Sequence, residues 1–390
     1  MAQGTSDKSA LKFVVMLGIV SLCADATYEG ARSITGAYLG LLGASGFVVG
    51  LVAGLGELIG YCFRLFIGYL SDQTRKYWRI TTIGYALNTV VVPMLALAGT
   101  WQIAALLMLG ERTGKAIRTP PRDVLLSHAA LRLGGGFGFG LHEALDQIGA
   151  VAGPLAVAMM VSLTGEYRGG FSILLVPAVV GMVVLLIGQR IYPNPRDFEH
   201  HTVSLDSQGL SRKFWIYLGA VAFMAAGFAD FPLIAYHFQT QAIATGNTIP
   251  LLYALAMGVD GIAALIFGRL FDRFGISILI VAVVLSSLFA PLVFFGSINL
   301  AVLGIVLWGI GMGAQESIVK AAVAAMVPPE KRGSAFGIFN TGYGLSWFLG
   351  SVLMGIFYDR TVNILIIFSV LIQLCAVPIL LVVNRGESRN

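Results

Sequence analysis

Twelve apolar runs recur along the chain, near residues 12–38, 46–71, 79–99, 102–119, 134–161, 170–190, 214–238, 250–270, 276–297, 299–322, 333–357 and 362–384. Each is close to the roughly 20 residues that a helix needs to cross a bilayer core. None alternates apolar with polar positions as an outer-membrane strand would. The pattern therefore predicts helices, which satisfy their backbone N–H and C=O groups within each segment. All links but one are short. The exception, IYPNPRDFEHHTVSLDSQGLSRK over 191–213, is polar and proline-bearing. It divides the chain into an N-terminal six-helix bundle (1–190) and a C-terminal six-helix bundle (214–390), joined by a linker.

Composition removes the soluble alternative. Charged residues make up 12% of the 390 and hydrophobic residues 57%, against roughly 25% charged in soluble domains. The fold class expected is an all-α integral membrane protein. If both termini are cytoplasmic, every Lys and Arg outside the spans lies on the inner side except Arg168 and Arg360. The positive-inside rule therefore favours that orientation in the inner (plasma) membrane. A net charge of +5 is too small and dispersed to suggest nucleic acid. Cys23, Cys62 and Cys375 lie in apolar stretches without CxxC spacing and read as small core residues. The start, MAQGTSDKSALKF, lacks a cleavable signal pattern, so the first run is expected to stay in the mature protein.

The two halves resemble each other at a nearly constant offset. Gly68, Leu70 and Asp72 recur as Gly268, Leu270 and Asp272, an offset of 200. Gly134, Phe137 and Gly138 recur as Gly333, Phe336 and Gly337, and Gly110 and Gly114 as Gly309 and Gly313, an offset of 199. Parallel repeats of six spans are a pattern of secondary transporters, whose substrate sites lie near the membrane midplane.

On these residues the chain resembles the major facilitator superfamily. GYLSDQTRK after the second span, with GRLFDRFG after the eighth, is similar to that family's signature loop. The resemblance implies a cytoplasmic gate motif at Gly68, Asp72 and Lys76, repeated at Gly268 and Asp272, with Asp72 helping to latch the bundles. Arg75 stands where the family usually has glycine; the second copy keeps Gly275. Gly149, Gly153 and Pro154 in the fifth span are similar to the Gly-x-x-x-Gly-Pro stretch of facilitator exporters, with Val157 and Ala158 in place of its trailing glycines. Physically, a carboxylate at one helix end can face the positive N-terminus of another and be released within a cycle. A solvated helix end is the bland alternative for Asp72.

Charges inside the spans carry the candidate chemistry. The acids are Asp25, Glu29, Glu57, Glu111, Glu143, Asp146, Asp230, Asp260 and Glu316; the bases are Arg32, Arg64, Arg112, Lys115, Arg118 and Lys320. Each costs about 2.5–3.5 kcal/mol or more at the bilayer centre, so they should face a watery cavity or one another. Asp25, Tyr28, Glu29 and Arg32 fall at i, i+3, i+4 and i+7, one helical stripe. His142 and Asp146 are i, i+4 partners, with Glu143 about 100° around the helix. Glu111–Lys115 and Glu316–Lys320 are i, i+4 pairs that either neutralise each other or serve transport. Asp230 and His237 stand two turns apart, and Asp260 is the single acid of the eighth span. Arg118 to Asp123, with Pro120 and Pro121 between, reads as a helix breaker and cytoplasmic anchor, or else as an anion-binding mouth. Gly50, Gly54, Gly56 and Gly60 read as packing residues. His200 and His201 read as solvated linker residues.

The expected function is secondary active transport of a small solute, coupled to protons, with export (antiport) favoured. The expected pathway residues are Asp25, Glu29, Arg32, His142, Glu143, Asp146, Asp230, Asp260, Glu316 and Lys320. A histidine beside carboxylates could instead hold a divalent cation, but no local ligand motif is present and no metal site or cofactor is expected. His142 as a hydrogen-bonded core histidine remains a third reading. Same-fold alternatives are a divalent-cation or organic-anion transporter; a non-transporting membrane sensor is the rival class. HExxH, GxSxG and GxxxxGK[ST] are absent, which argues against an enzyme or an ATP-driven pump. The expected partners are the solute, protons and the bilayer, with the monomer as the working unit.

Overall fold

The computed structural model describes residues 2–133, 135–193, 210–328 and 331–385. The middle of the 191–213 linker, with His200 and His201, therefore lies outside the described residues, as does Gly134 of the half-repeat. The helices are α1 (Ala2–Leu41), α2 (Gly46–Thr74), α3 (Tyr77–Met94), α4 (Trp101–Arg132), α5 (Gly135–Thr164), α6 (Tyr167–Ile173), α7 (Leu175–Ile191) and α8 (Arg212–Gly227). They continue as α9 (Phe231–Thr240), α10 (Thr248–Phe274), α11 (Ser277–Ser287), α12 (Phe289–Phe295), α13 (Ile298–Ala314), α14 (Lys320–Met326), α15 (Arg332–Arg360) and α16 (Val362–Arg385).

Several short helices are pieces of one span. α6 with α7, α8 with α9, α11 with α12, and α13 with α14 each form one membrane-length segment, which gives twelve segments among the described residues. Ten are long and apolar enough to cross a membrane on hydropathy alone. The remaining two are α4, dense in charge, and α15. The twelve segments follow the twelve predicted runs closely, except that α4 continues well past residue 119. Pro120 and Pro121 lie inside it. Each removes a backbone donor, but the helix does not end there, so the expected breaker is not one.

The chain packs as two compact units. One holds residues 1–34, 63–202 and 246–254, the other 35–62, 203–245 and 255–390. Short segments are thus traded between the sequence halves. In the second unit Gly50 and Gly54 of α2 approach the backbone of α15 at Ser351 and Phe348. Asp359 caps α2 there, accepting from the N–H groups of Gly46 at 2.7 Å and Phe47 at 2.8 Å. Gly60, expected to pack, has no heavy atom within 4 Å of the place where a Cβ would sit.

The half-repeat is visible inside each unit. Gly149 and Gly153 of α5 lie against the backbone carbonyls of Leu22 and Ala26 on α1, and Gly350 of α15 lies against Ala226 on α8. The fifth segment of each half thus crosses the first closely enough that only glycine fits. The signature loops repeat as well. Arg75 has φ +53° and Gly275 has φ +60°, so both turns leave their helix through a left-handed residue. Glycine adopts that conformation at no steric cost, whereas a side chain pays about 1–2 kcal/mol.

Gly149→Val and Gly153→Val are expected to lower stability by about 1–3 kcal/mol through overpacking at the α1–α5 crossing. Gly140→Val, where nothing lies within 4 Å, should be tolerated. Thermal unfolding of the three variants in detergent checks this; equal melting of all three would refute the close-crossing account.

Candidate functional site

The first unit concentrates buried charge on three helices. On α1 the predicted stripe forms: Tyr28, Glu29 and Arg32 are buried on one face, with Asp25 partly buried one turn earlier. On α4, Glu111, Lys115, Arg118 and Arg122 recur at i, i+4, i+7 and i+11, and so share a face. That face meets α1 and α5.

The pairings step in opposite directions along α1 and α4. Arg122 Nη1 donates to Ser21 Oγ at 3.0 Å. One turn on, Arg118 Nη2 reaches Asp25 Oδ1 at 3.4 Å. A further turn brings Lys115 Nζ within 3.9 Å of Glu29 Oε1. At the far end Arg32 Nη1 donates to the Tyr28 hydroxyl at 2.8 Å, and Arg112 donates to the same oxygen. Glu29 accepts a hydrogen bond of 2.5 Å from the Tyr253 hydroxyl at the start of α10.

α5 completes the cluster. Asp146 Oδ2 lies 4.0 Å from Arg122 Nη1, and Asp146 Oδ1 lies 3.8 Å from His142 Nδ1. Among the described residues neither Asp146 Oδ1 nor His142 Nδ1 has a hydrogen-bond partner, although both atoms are buried. His142 uses its other nitrogen, which lies 3.3 Å from Ser21 Oγ. Glu143 is exposed, about 100° around α5 from His142.

Two expectations change here. Glu111 and Lys115 do not neutralise each other as the leading contacts: Glu111 lies 3.7 Å from Arg112 and Lys115 faces Glu29. Arg118 is no cytoplasmic anchor either. Its side chain is 0% exposed, paired with Asp25 and stacked 4.6 Å from the centre of the Tyr85 ring. Sequence reading placed Tyr28 in the stripe but missed Tyr85, Arg122 and Tyr253 as members of the cluster. The α4 members were detectable, because their helical period runs through the two prolines.

In the second unit the candidates are dispersed. Asp230 is 1% exposed and caps α9, accepting from the Phe231 N–H at 3.1 Å. His237 Nδ1 meets the Tyr358 hydroxyl at 3.0 Å. Asp260 is buried on α10. Glu316 and Lys320 are exposed at a π-helical turn, Gln315–Val319, between α13 and α14. Asp272 is exposed near the end of α10; its counterpart Asp72 in the first unit is exposed near the end of α2 and accepts from the Tyr77 hydroxyl at 3.3 Å. Among the described residues no three His, Cys, Asp or Glu side chains gather as a metal site requires.

Twelve membrane-length segments in two repeated halves, with charged side chains buried inside both, are the build of a secondary transporter. The comparisons agree. A family model described as Major Facilitator Superfamily matches residues 13–242 and again 214–390. The chain belongs to the major facilitator superfamily. It is similar to an uncharacterized protein of Mycobacterium tuberculosis, 39% identical over 96% of this chain and 94% of the relative. An uncharacterized MFS-type transporter of Methanocaldococcus jannaschii is 27% identical over 90% of this chain and 89% of its own. Among solved structures, a mutant of the nucleoside transporter NupG matches with a TM-score of 0.74 at 13% identity, over 94% of this chain and 99% of its own. A bacterial homolog of the human lysosomal transporter Spinster, inward-facing and unoccupied, also gives 0.74, at 14% identity over 96% and 97% of the two chains. At such identities the likeness concerns the fold.

Arg118→Leu leaves Asp25 without its buried cation and is expected to cost about 3–5 kcal/mol. Adding Asp25→Asn should restore part of the loss, because the uncompensated charge is then removed. Melting temperatures of the single and double variants in detergent measure this; a double variant no more stable than Arg118→Leu would contradict the pairing.

Proposed function

We propose that this secondary transporter couples movement of a small solute to protons, and that Asp146 with His142 is the proton-handling site. The observation that carries the reading is the geometry of that pair. Asp146 Oδ1 and His142 Nδ1 face each other at 3.8 Å, buried and without hydrogen bonds. A buried polar atom left unpaired costs about 1–3 kcal/mol. A proton on either group, with a small approach, would turn the gap into a hydrogen bond. Arg122 Nη1 stands 4.0 Å from the Asp146 carboxylate, so a cation lies beside the acid. One acid, one histidine and a neighbouring cation, itself held by Asp123 at 2.8 Å, are enough to exchange a proton between two states.

Asp25 and Glu29 form the rest of this pathway in the first half, with Arg32 beside them. Asp230, Asp260, Glu316 and Lys320 contribute from the second. The two sequence halves, residues 1–190 and 214–390, are joined by a cytoplasmic linker, with both termini cytoplasmic in the plasma membrane. Asp72 acts as a latch at the inner end, its counterpart being Asp272. Export is favoured by the Gly149, Gly153 and Pro154 stretch.

Asp146→Asn in proteoliposomes is expected to abolish solute accumulation driven by a pH gradient while retaining exchange without one. Wild-type accumulation and pH dependence in that variant would end the coupling proposal. Asp72→Asn should slow transport at unchanged membrane insertion. Equal initial rates at matched protein amounts would remove the latch.

A further inference from the structure

In the first unit a neutral polar side chain is buried beside the place where α1, α3 and α7 meet. Asn88 of α3 is 5% exposed. Among the described residues neither its amide nitrogen nor its amide oxygen has a hydrogen-bond partner. A carboxamide offers two donors and an acceptor with two lone pairs, and burying them unpaired opposes folding. The sequence nevertheless makes room for this one. On the facing α4, a side chain at position 114 in place of Gly114 would collide with Asn88 Oδ1. The oxygen therefore rests against a glycine, whose C–H groups are weak donors at best.

Asn88 lines a cavity together with Thr27, Tyr85, Thr89 and apolar residues of α1 and α7. The cavity leaves about 10 Å³ for the centre of a water-sized molecule, close to the room that one water needs. Its polar wall suits water in kind as well as in size. The Thr27 hydroxyl donates to the Cys23 carbonyl at 2.7 Å. The Thr89 hydroxyl donates to the Tyr85 carbonyl at 2.9 Å and lies 3.4 Å from that of Ala178. A hydroxyl has one proton, so both threonines have only lone pairs left to offer, whereas Asn88 brings N–H donors. A molecule that accepts once and donates twice would serve all three side chains. Water does so with about three hydrogen bonds, the usual number for a buried water.

We propose that this cavity binds one structural water, which accepts from the Asn88 amide, donates to the Thr27 and Thr89 hydroxyls, and so ties α1 to α3. Thr27 and Asn88 share no direct hydrogen bond, because the amide has no partner among the described residues; the water is their link. Tyr85 lines the same cavity while its ring stacks 4.6 Å from the Arg118 guanidinium. The water thus stands one side chain away from the buried Arg118–Asp25 pair and braces the ring on which Arg118 rests. The site is independent of what the protein carries and of how transport is coupled.

The test is a double-mutant cycle on the full-length protein in detergent, read by thermal melting. Asn88→Leu and Thr27→Val keep the shape of the cavity wall and remove its polar atoms. Each should lower the melting temperature by a few degrees, because each leaves the water and its remaining partners short of a hydrogen bond. The double variant should lose clearly less than the sum of the two, since a shared water can be lost only once. In a dry cavity Asn88→Leu would remove an unsatisfied amide and raise the melting temperature instead. That rise, or strictly additive losses, would overturn the proposal. If Asn88→Leu does not fold, crystals of the wild-type protein decide the matter, at a resolution that shows ordered solvent and after pressurisation with xenon. One water within hydrogen-bond reach of both the Asn88 amide and the Thr27 hydroxyl is expected. Xenon, which enters dry apolar cavities, or a lipid tail in that place would overturn the proposal, as would a cavity without ordered density.

Discussion

The pairing of the basic face of α4 with the acids of α1 and α5 fixes how those helices can lie together in the first unit. Charged groups at membrane depth are tolerated when they meet opposite charge or water. Arg122, Arg118 and Lys115 descend α4 while Ser21, Asp25 and Glu29 ascend α1, so a slip of one turn would misalign every pair at once. Close approach of α5 supports the same register. Gly149 and Gly153 let its backbone touch α1, and this brings Asp146 and His142 to the level of Ser21 and Arg122. Packing and electrostatics therefore specify one arrangement.

The second unit meets the same membrane with different means. Its first segment breaks between α8 and α9, where backbone groups would otherwise lack partners. Ser369 and Gln373 of α16 donate to the Gly227 carbonyl at 2.6 and 3.1 Å. Trp308 donates to the Ala229 carbonyl at 2.9 Å, and Asp230 takes the Phe231 N–H. Around the break the rings of Phe228, Phe289, Trp308 and Trp347 pack with centroids 5.2 to 5.8 Å apart from that of Phe228. Side chains here repair an interrupted backbone; in the first unit they neutralise one another.

The fold was largely legible in the sequence, because span length and the half-repeat are consequences of bilayer thickness and chain symmetry. The α1 stripe was legible too, since a spacing of i, i+3, i+4 and i+7 can only be one face. The partners of that stripe were not. Two prolines and a run of basic residues near an inner end have an ordinary explanation as a helix stop and a membrane anchor, and that explanation hid Arg118 and Arg122. Pairings across helices depend on which faces meet, and spacing within one helix does not contain that information. This is why Glu111 and Lys115 looked like partners and why Tyr253, more than two hundred positions from Glu29, gave no sign of its role.

The charge on α4 also bears on how the protein is made. Its 32 residues carry Glu111, Arg112, Lys115, Arg118, Arg122 and Asp123, and it is not among the segments apolar enough to cross a membrane unaided. At about 2.5–3.5 kcal/mol for each central charge, partition of this helix alone from the translocon into lipid is unfavourable. The acids of α1 are synthesised before it, but Asp146 and His142 of α5 come after. α4 must therefore be held against earlier helices until α5 emerges, and its entry into the bilayer is a step of assembly. The biogenesis of the N-terminal half thus depends on the order in which charges of opposite sign leave the ribosome.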